Sequence, residues 1–263
     1  MKYNKQVISI VDQIQTLQQR GLIINDREKA IATLERTSYF RLAGYWRAME
    51  KDPVRHLFLP NSHFDDVLLY YRFGKDLKLL LFSAVQTIEV AVRTRIIQRF
   101  SSAHGSFWFM ESDKAIDKAF FYSNLDSIRR EVQRSKEDFI TDHFNKYSIP
   151  DLPPAWKTLE VVSLGMLSKL FRNFADKQSK DQVAADFDLP QHLILEGWLE
   201  SLTTLRNHIA HHARVCNRRF PHKPELLRKI GRISKSFVNK GSLRDWEKSG
   251  LRIGNCSQFH ILL

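Results

Sequence analysis

Three observations predict an all-α protein. Apolar residues recur at steps of three, four and seven from Val7 to Ile209, the period of a helix with one buried stripe. No alternation of apolar and polar residues is sustained over five positions, so no half-buried strand is signalled. No internal repeat or low-complexity linker interrupts the pattern. With 43% hydrophobic and 27% charged residues, the 263-residue chain has the material for a soluble, well-packed globule of one large or two small domains.

Val7, Ile10, Val11, Ile14 and Leu17 predict a first helix ending near Gly21. Asn25-Asp26-Arg27-Glu28 reads as a capping box that opens a second helix through Leu34. The stretch Ser38-Tyr39-Phe40-Arg41-Leu42-Ala43-Gly44-Tyr45-Trp46 is dense in aromatic residues at helical spacing. Such rings pack a core or, beside Arg41 and Arg47, stack bases. Pro53 and Pro60 make Asp52 to His63 a loop.

Two helices, Phe64 to Phe73 and Lys75 to Phe100, are expected to meet at Gly74. The second presents Leu77, Leu80, Leu81, Ala84, Val85, Ile88, Ala91, Val92 and Ile96 as its inner face. Glu89 and Arg93 stand one turn apart on it, which by itself is an i,i+4 ion pair worth roughly a few tenths of a kcal/mol. Gly105 to Phe109 reads as a turn followed by an aromatic plug. A helical region from about Asp113 to Tyr147 carries Arg129, Arg130, Arg134 and Lys136, either the rim of an RNA path or a solvated face. Prolines make Ile149 to Pro154 a loop, a helix is expected from Trp156 to Phe174, and Asp186 to Pro190 is another loop.

The chain is organised around Leu195 to Phe220, read as one long helix closed by Pro221. Trp198, Leu202, Leu205, Ile209 and Cys216 form its apolar stripe, with Arg206 at the edge. Asn207, Ala210, His211 and Arg214 fall on the far side, and His208 and His212 on the other shoulder. No acid occurs between Arg206 and Phe220, whereas an exposed helix face usually mixes Glu with Lys. This is the composition of a site. His212, nearest the stripe, is expected to be a core histidine.

Arg206-Asn207-x-x-x-His211 resembles the Arg-x(4–6)-His motif of the HEPN superfamily, many of whose members are metal-independent ribonucleases. The longer string Leu205-Arg206-Asn207-His208-x-Ala210-His211-His212-x-Arg214-x-x-Asn217-Arg218 is similar to the C-terminal signature of the Abi-like (AbiD/AbiF) abortive-infection proteins of bacterial phage defence. That family usually has Trp or Tyr where this chain has Cys216. Ser38 to Trp46 resembles the (N/S)YYRLxGY signature of the same family, and Ser135 to Ile140, Leu152 to Glu160 and Ser163 to Gly165 look like further family stretches. The resemblance implies a HEPN-type helical bundle over residues 61–220, and the rest of the chain is expected to form an N-terminal helical extension over 1–60 and a basic tail over 221–263 packed on the core. It also implies a Glu followed by an Arg in a helix against the motif helix, so that Glu89, with Arg93, would orient Arg206 or a motif histidine.

RNA can be cut without a metal because its 2′-hydroxyl is a built-in nucleophile. The reaction needs a base for that proton, an acid for the 5′-oxygen and positive charge for the phosphorane. Histidine suits the proton transfers, and arginine's planar fork suits the charge. Arg206, Asn207 and His211 are the candidate catalytic residues, supported by His208, His212, Glu89, Arg93 and Arg214. On a straight helix Arg206 and His211 lie about 140° apart, too far round to grip one atom. The resemblance implies a homodimer in which two antiparallel motif helices interleave, with Ala210 leaving room for close approach.

The formal net charge of +12 makes a polyanion the expected partner and nucleic acid the first candidate. Arg41, Arg47, Arg129, Arg130, Arg134, Lys136, Arg218 and Arg219 are the candidate RNA contacts. Cys216 and Cys256 have no spacing that signals a disulfide framework or a zinc cluster. His208, His211 and His212 have chelating spacings, but without an accompanying carboxylate neither a metal nor another cofactor is expected. No signal peptide is evident and the longest apolar run, Leu77 to Val85, is too short to span a bilayer, so a cytoplasmic protein is expected. The competing function is a non-cleaving protein that holds a structured small noncoding RNA, since relatives of this type are associated with such RNAs.

Overall fold

The computed structural model describes residues 2, 4, 6–221, 224 and 225. The tail predicted over 221–263 therefore lies almost wholly outside the described residues, as does Cys256. The chain forms two compact units, Met1–Leu81 and Phe82–Leu263.

In the first unit, α1 (Ile10–Gln19) starts at Ser9, whose hydroxyl accepts the Asp12 N–H at 3.1 Å. Val7 stays outside the helix and exposed. Helix α2 (Arg27–Arg36) is capped by Asp26, which accepts the Lys29 N–H at 2.9 Å. Helix α3 (Tyr39–Trp46), capped by Ser38, delivers Leu42, Tyr45 and Trp46 into a core with Ile14, Leu17, Leu34 and Val67. Tyr39 packs edge-on against Trp46 at 4.9 Å. The aromatic cluster is thus mostly core, and Phe40 alone of its rings points out, 86% exposed. A short antiparallel hairpin, β1 (Glu50–Asp52) and β2 (Leu57–Phe58), occupies part of the segment expected to be a loop.

Helix α4 (Phe64–His104) runs unbroken for 41 residues, where two helices meeting at Gly74 were expected. Gly74 is there for space rather than for a bend. A Cβ at this position would lie 2.9 Å from Cε1 of Tyr45. Leu80, placed by spacing on the inner face, is 53% exposed. The helix instead buries Leu81, Val85, Val92, Ile96 and Phe100.

In the second unit, Gly105 ends α4 with φ +86°. The aromatic plug forms as expected: Trp108 and Phe109 are buried, and Phe100 lies 4.8 Å from Trp108 and 4.6 Å from Phe174. The region from Asp113 to Tyr147 divides into α5 (Lys118–Arg134) and α6 (Asp138–Lys146), with extended backbone at Ser135 between them. The helix expected from Trp156 to Phe174 also divides, into α7 (Ala155–Thr158) and α8 (Leu164–Asn173). Ser163 starts the second piece by accepting the Met166 N–H at 3.3 Å. Helices α9 (Lys177–Ala185) and α10 (His192–Ala210) follow, and α10 packs on α8 and α9. The buried Lys180 joins α9 to α10 through Glu196 at 2.8 Å. Arg99 holds Asp186 with two bonds of 3.0 and 2.6 Å. Among the described residues, no helix is long and apolar enough to cross a membrane.

Candidate active site

Helix α10 buries Leu199, Leu202, Leu205 and Ile209, three to four residues apart, and this fixes the rotation of everything between them. Arg206 falls at the edge of that stripe, as its place in the sequence predicts, with 37% of its side chain exposed. Its Nε lies 3.8 Å from Oε2 of Glu89 on α4. Glu89 is 14% exposed, and its other oxygen accepts a bond from Nη2 of Arg93 at 3.0 Å. Arg93 is itself buried; the same Nη2 donates to the Val162 carbonyl at 2.9 Å, and Nη1 stands 3.9 Å from Glu160. One carboxylate is thus shared by two guanidinium groups, one sunk in the core and one turned to the surface. Arg206 faces Glu89 through Nε, which leaves its terminal nitrogens as the part available to a phosphate.

The motif helix does not reach Phe220. It ends at Ala210, with His211 as the cap residue. The His212 N–H donates to Ile209 O at 3.0 Å and the Ala213 N–H to His208 O at 2.8 Å. These two bonds are a Schellman ending, with His212 in the left-handed position at φ +55°. Spacing could not reveal it, because that position usually carries glycine. His212 is therefore exposed at a helix end, where the helical wheel had predicted a core histidine. The chain then folds back so that Val215 and Cys216 are buried, and Asn217 takes a second left-handed conformation at φ +50°. Cys216 is apolar packing here, although no longer as part of the α10 stripe.

Asn207, Ala210 and His211 are exposed, and Arg214 is half-buried just beyond the turn. His208 is half-buried and points elsewhere. Its Nδ1 lies 2.7 Å from the Thr204 carbonyl and its ring meets Phe220 edge-on at 5.3 Å. A carbonyl oxygen only accepts, so Nδ1 carries the proton and Nε2 is the free acceptor of the neutral ring. Among the described residues, no three of His, Cys, Asp and Glu converge as a metal-ligand group.

The candidate RNA contacts are divided between the two units. Arg41 and Arg47 are exposed in the first unit, whereas the motif belongs to the second. Arg129 is held by Asp151 at 2.9 Å and Asp126 at 3.2 Å, Arg130 by Ser127 at 3.1 Å, and Arg134 by Glu131 at 2.6 Å. Arg134 and Lys136 also line an open groove of about 480 Å3 whose other wall includes Glu160 and Val161. Arg218 and Arg219 are exposed beyond the turn. Sequence reasoning missed Glu160 and Val162, which complete the surroundings of Arg93. No periodicity connects them to α4.

The match to known proteins agrees with this geometry. The family model described as Abi-like protein matches residues 32–217, a span that takes in α3, Glu89, Arg93 and the whole motif through Asn217. No curated protein and no solved structure matches the chain. With most of its length covered by that model, the chain belongs to the Abi-like protein family.

Proposed function

We propose that this chain is a metal-independent endoribonuclease acting in abortive infection, the bacterial phage defence with which Abi-like proteins are associated. The observation that carries the reading is the anchored arginine: Glu89 holds Arg206 from the Nε side, 3.8 Å away, while His211 stands exposed at the end of the same helix. Arg206 supplies charge to the phosphorane, and a neutral imidazole takes the 2′-hydroxyl proton as O2′ bonds to phosphorus. A protonated imidazole gives a proton to the 5′-oxygen as the P–O5′ bond breaks. Asn207 orients a phosphate oxygen by donating from its side-chain amide.

Arg206 and His211 diverge around α10, so the site is shared by two copies, with Arg206 of each facing His211 of the other. The resemblance to HEPN nucleases supports that arrangement. The test is purified protein on total RNA in EDTA, with the new ends mapped. Cleavage leaving 2′,3′-cyclic phosphates is expected and should vanish in Arg206→Ala and His211→Ala, both of which should fold normally. RNA binding that weakens steeply with salt, with no cleavage, would leave the non-cleaving RNA-binding protein as the better reading. Metal-dependent cuts leaving 5′-phosphates would exclude both.

A further inference from the structure

The end of α5 and the segment after it face the turn that links α7 to α8 across the open groove of about 480 Å3. That is within the size of sites that hold small molecules. A neighbouring hollow of about 430 Å3, walled by Ser127, Arg130 and Met166, shares Glu131 and Arg134 with it. Both signs of charge line the groove: Arg134 and Lys136 against Glu131, Glu137 and Glu160. Three carboxylates make it a poor track for phosphates, which they repel. The wall at Glu160 is tied to the candidate active site. Glu160 stands 3.9 Å from Nη1 of Arg93, and the Val162 carbonyl accepts from Nη2 at 2.9 Å, with Val161 between them lining the groove. The same Nη2 reaches Glu89, the carboxylate that faces Arg206. One buried guanidinium thus supports both the groove wall and the partner of Arg206.

We propose that this groove is a base-recognition subsite in which Glu160 selects guanine in the RNA strand beside the scissile phosphate; this deepens the ribonuclease reading above and rests on it. The three carboxylates are not equivalent. Glu131 is held by Arg134 at 2.6 Å, and Glu137 is exposed at the start of α6. Glu160 has the charge of buried Arg93 behind it and 47% of its side chain open to solvent. An ionised carboxylate only accepts hydrogen bonds. Guanine alone among the four bases sets two donors side by side on its Watson–Crick edge, N1–H and the N2 amino group, one for each carboxylate oxygen. Adenine and cytosine pair an amino donor with a ring acceptor that a carboxylate repels, and uracil has a single donor between two carbonyls. The half-buried ring of Phe139 offers the base an apolar face, and the exposed Lys136 offers charge to the adjoining phosphate. Glu160 touches no reacting atom; it sets which nucleotide lies near the cut.

The test is cleavage of single-stranded RNAs by the purified protein. Ends mapped from total RNA should show guanine at one fixed position relative to the cut. In synthetic RNAs, replacing that guanine by adenine should lower kcat/KM about 10-fold or more, the discrimination of one bidentate contact. Inosine, which keeps N1–H but lacks the amino group, should fall between the two. Glu160→Gln should bring the guanine, inosine and adenine RNAs within about 3-fold of one another. The comparison is a ratio within one variant, so partial unfolding cancels from it. Lys136→Ala should weaken binding of all three RNAs alike and lower its salt dependence by about one phosphate. A Glu160→Gln protein slower on every RNA, yet with the wild-type preference for guanine, would overturn the inference and leave Glu160 as a support of Arg93. RNA binding untouched by Lys136→Ala would overturn the path of the strand through the groove. Wild-type cleavage with no base preference at any fixed position would overturn the subsite and leave the ribonuclease reading standing. A wild-type protein that cuts no RNA would overturn the ribonuclease reading and this inference together.

Discussion

Oε2 of Glu89 lies 3.8 Å from Nε of Arg206, and Oε1 of the same carboxylate takes Nη2 of Arg93 at 3.0 Å. Removing this charge has two consequences that can be read apart. Glu89→Gln leaves buried Arg93 without its nearest counter-charge, a loss of about 2–4 kcal/mol in denaturant unfolding. It also frees Arg206, which should lower RNA cleavage about 100-fold at temperatures where the variant is folded. Arg206→Ala should abolish cleavage with an unfolding free energy within about 0.5 kcal/mol of wild type, its side chain being partly exposed and off the apolar stripe. Equal destabilisation of both variants would mean that Glu89 serves the fold through Arg206, not the site.

Ala210 tests the shared site. It is exposed on the last turn of α10, next to His211. Ala210→Trp should hold motif helices apart, lowering cleavage about 100-fold or more while each protomer keeps its melting temperature. Sedimentation should show wild type as a dimer and the variant shifted toward monomer. A wild-type monomer that cuts RNA at full rate would remove the second copy from the mechanism.

Gly74 offers a test of packing alone. Replacing a mid-helix glycine by alanine normally stabilises by about 1 kcal/mol. Here the new Cβ would meet Cε1 of Tyr45 at 2.9 Å and its hydroxyl at 3.1 Å. Gly74→Ala should instead destabilise by about 1–3 kcal/mol. Combining it with Tyr45→Leu should recover much of that loss, and a double-mutant cycle gives the coupling.

The pH dependence of stability should fall in two stages. Burial, with help from the nearby Lys157 charge, pulls the His143 pKa below its ordinary value. The unfolded chain therefore takes up this proton first, and stability declines as pH drops below about 6.5. His143→Phe should flatten this stage, since His143 Nε2 is buried with no hydrogen-bond partner and its ring already packs on Phe144 and Tyr147. The second stage belongs to carboxylates held below their usual range: Asp176 chiefly by the Ser179 hydroxyl, and Asp186 by the Arg99 guanidinium. Their contribution is complete above about pH 5 and is lost as pH falls through their folded values. Asp186→Asn should lower stability at pH 7 and shrink the difference between pH 7 and pH 3. A wild-type melting temperature that stays level from pH 7 to pH 3 would contradict both stages.

Spacing alone placed Arg206 at the edge of the buried stripe of α10, because Leu202, Leu205 and Ile209 repeat at the helical period. The same reasoning failed one turn later. A periodic pattern has no term for a left-handed residue, so Cys216, buried by a returning chain, read as a continuation of the stripe, and His212 as its neighbour. Where the Trp156 to Phe174 region divides, α8 starts at Ser163, whose hydroxyl caps it, a local signal that periodicity ignores. Gly74 misled in the opposite direction, since its reason is the ring of Tyr45, twenty-nine residues earlier in the chain. The pairing of Glu89 with Arg206 was accessible only through family resemblance. No distance along the sequence signals it.

That pairing joins positions more than a hundred residues apart, and the interval contains five helices, of which α8 and α9 pack against α10. Contacts of such long range carry a larger loop-closure cost than local ones. During synthesis Glu89 and Arg93 emerge long before their surface partner, and any nascent chain that stops short of α10 holds neither the arginine nor the histidines. The complete constellation thus appears only when translation has passed the motif. A chain cut short before α10 lacks both Arg206 and His211.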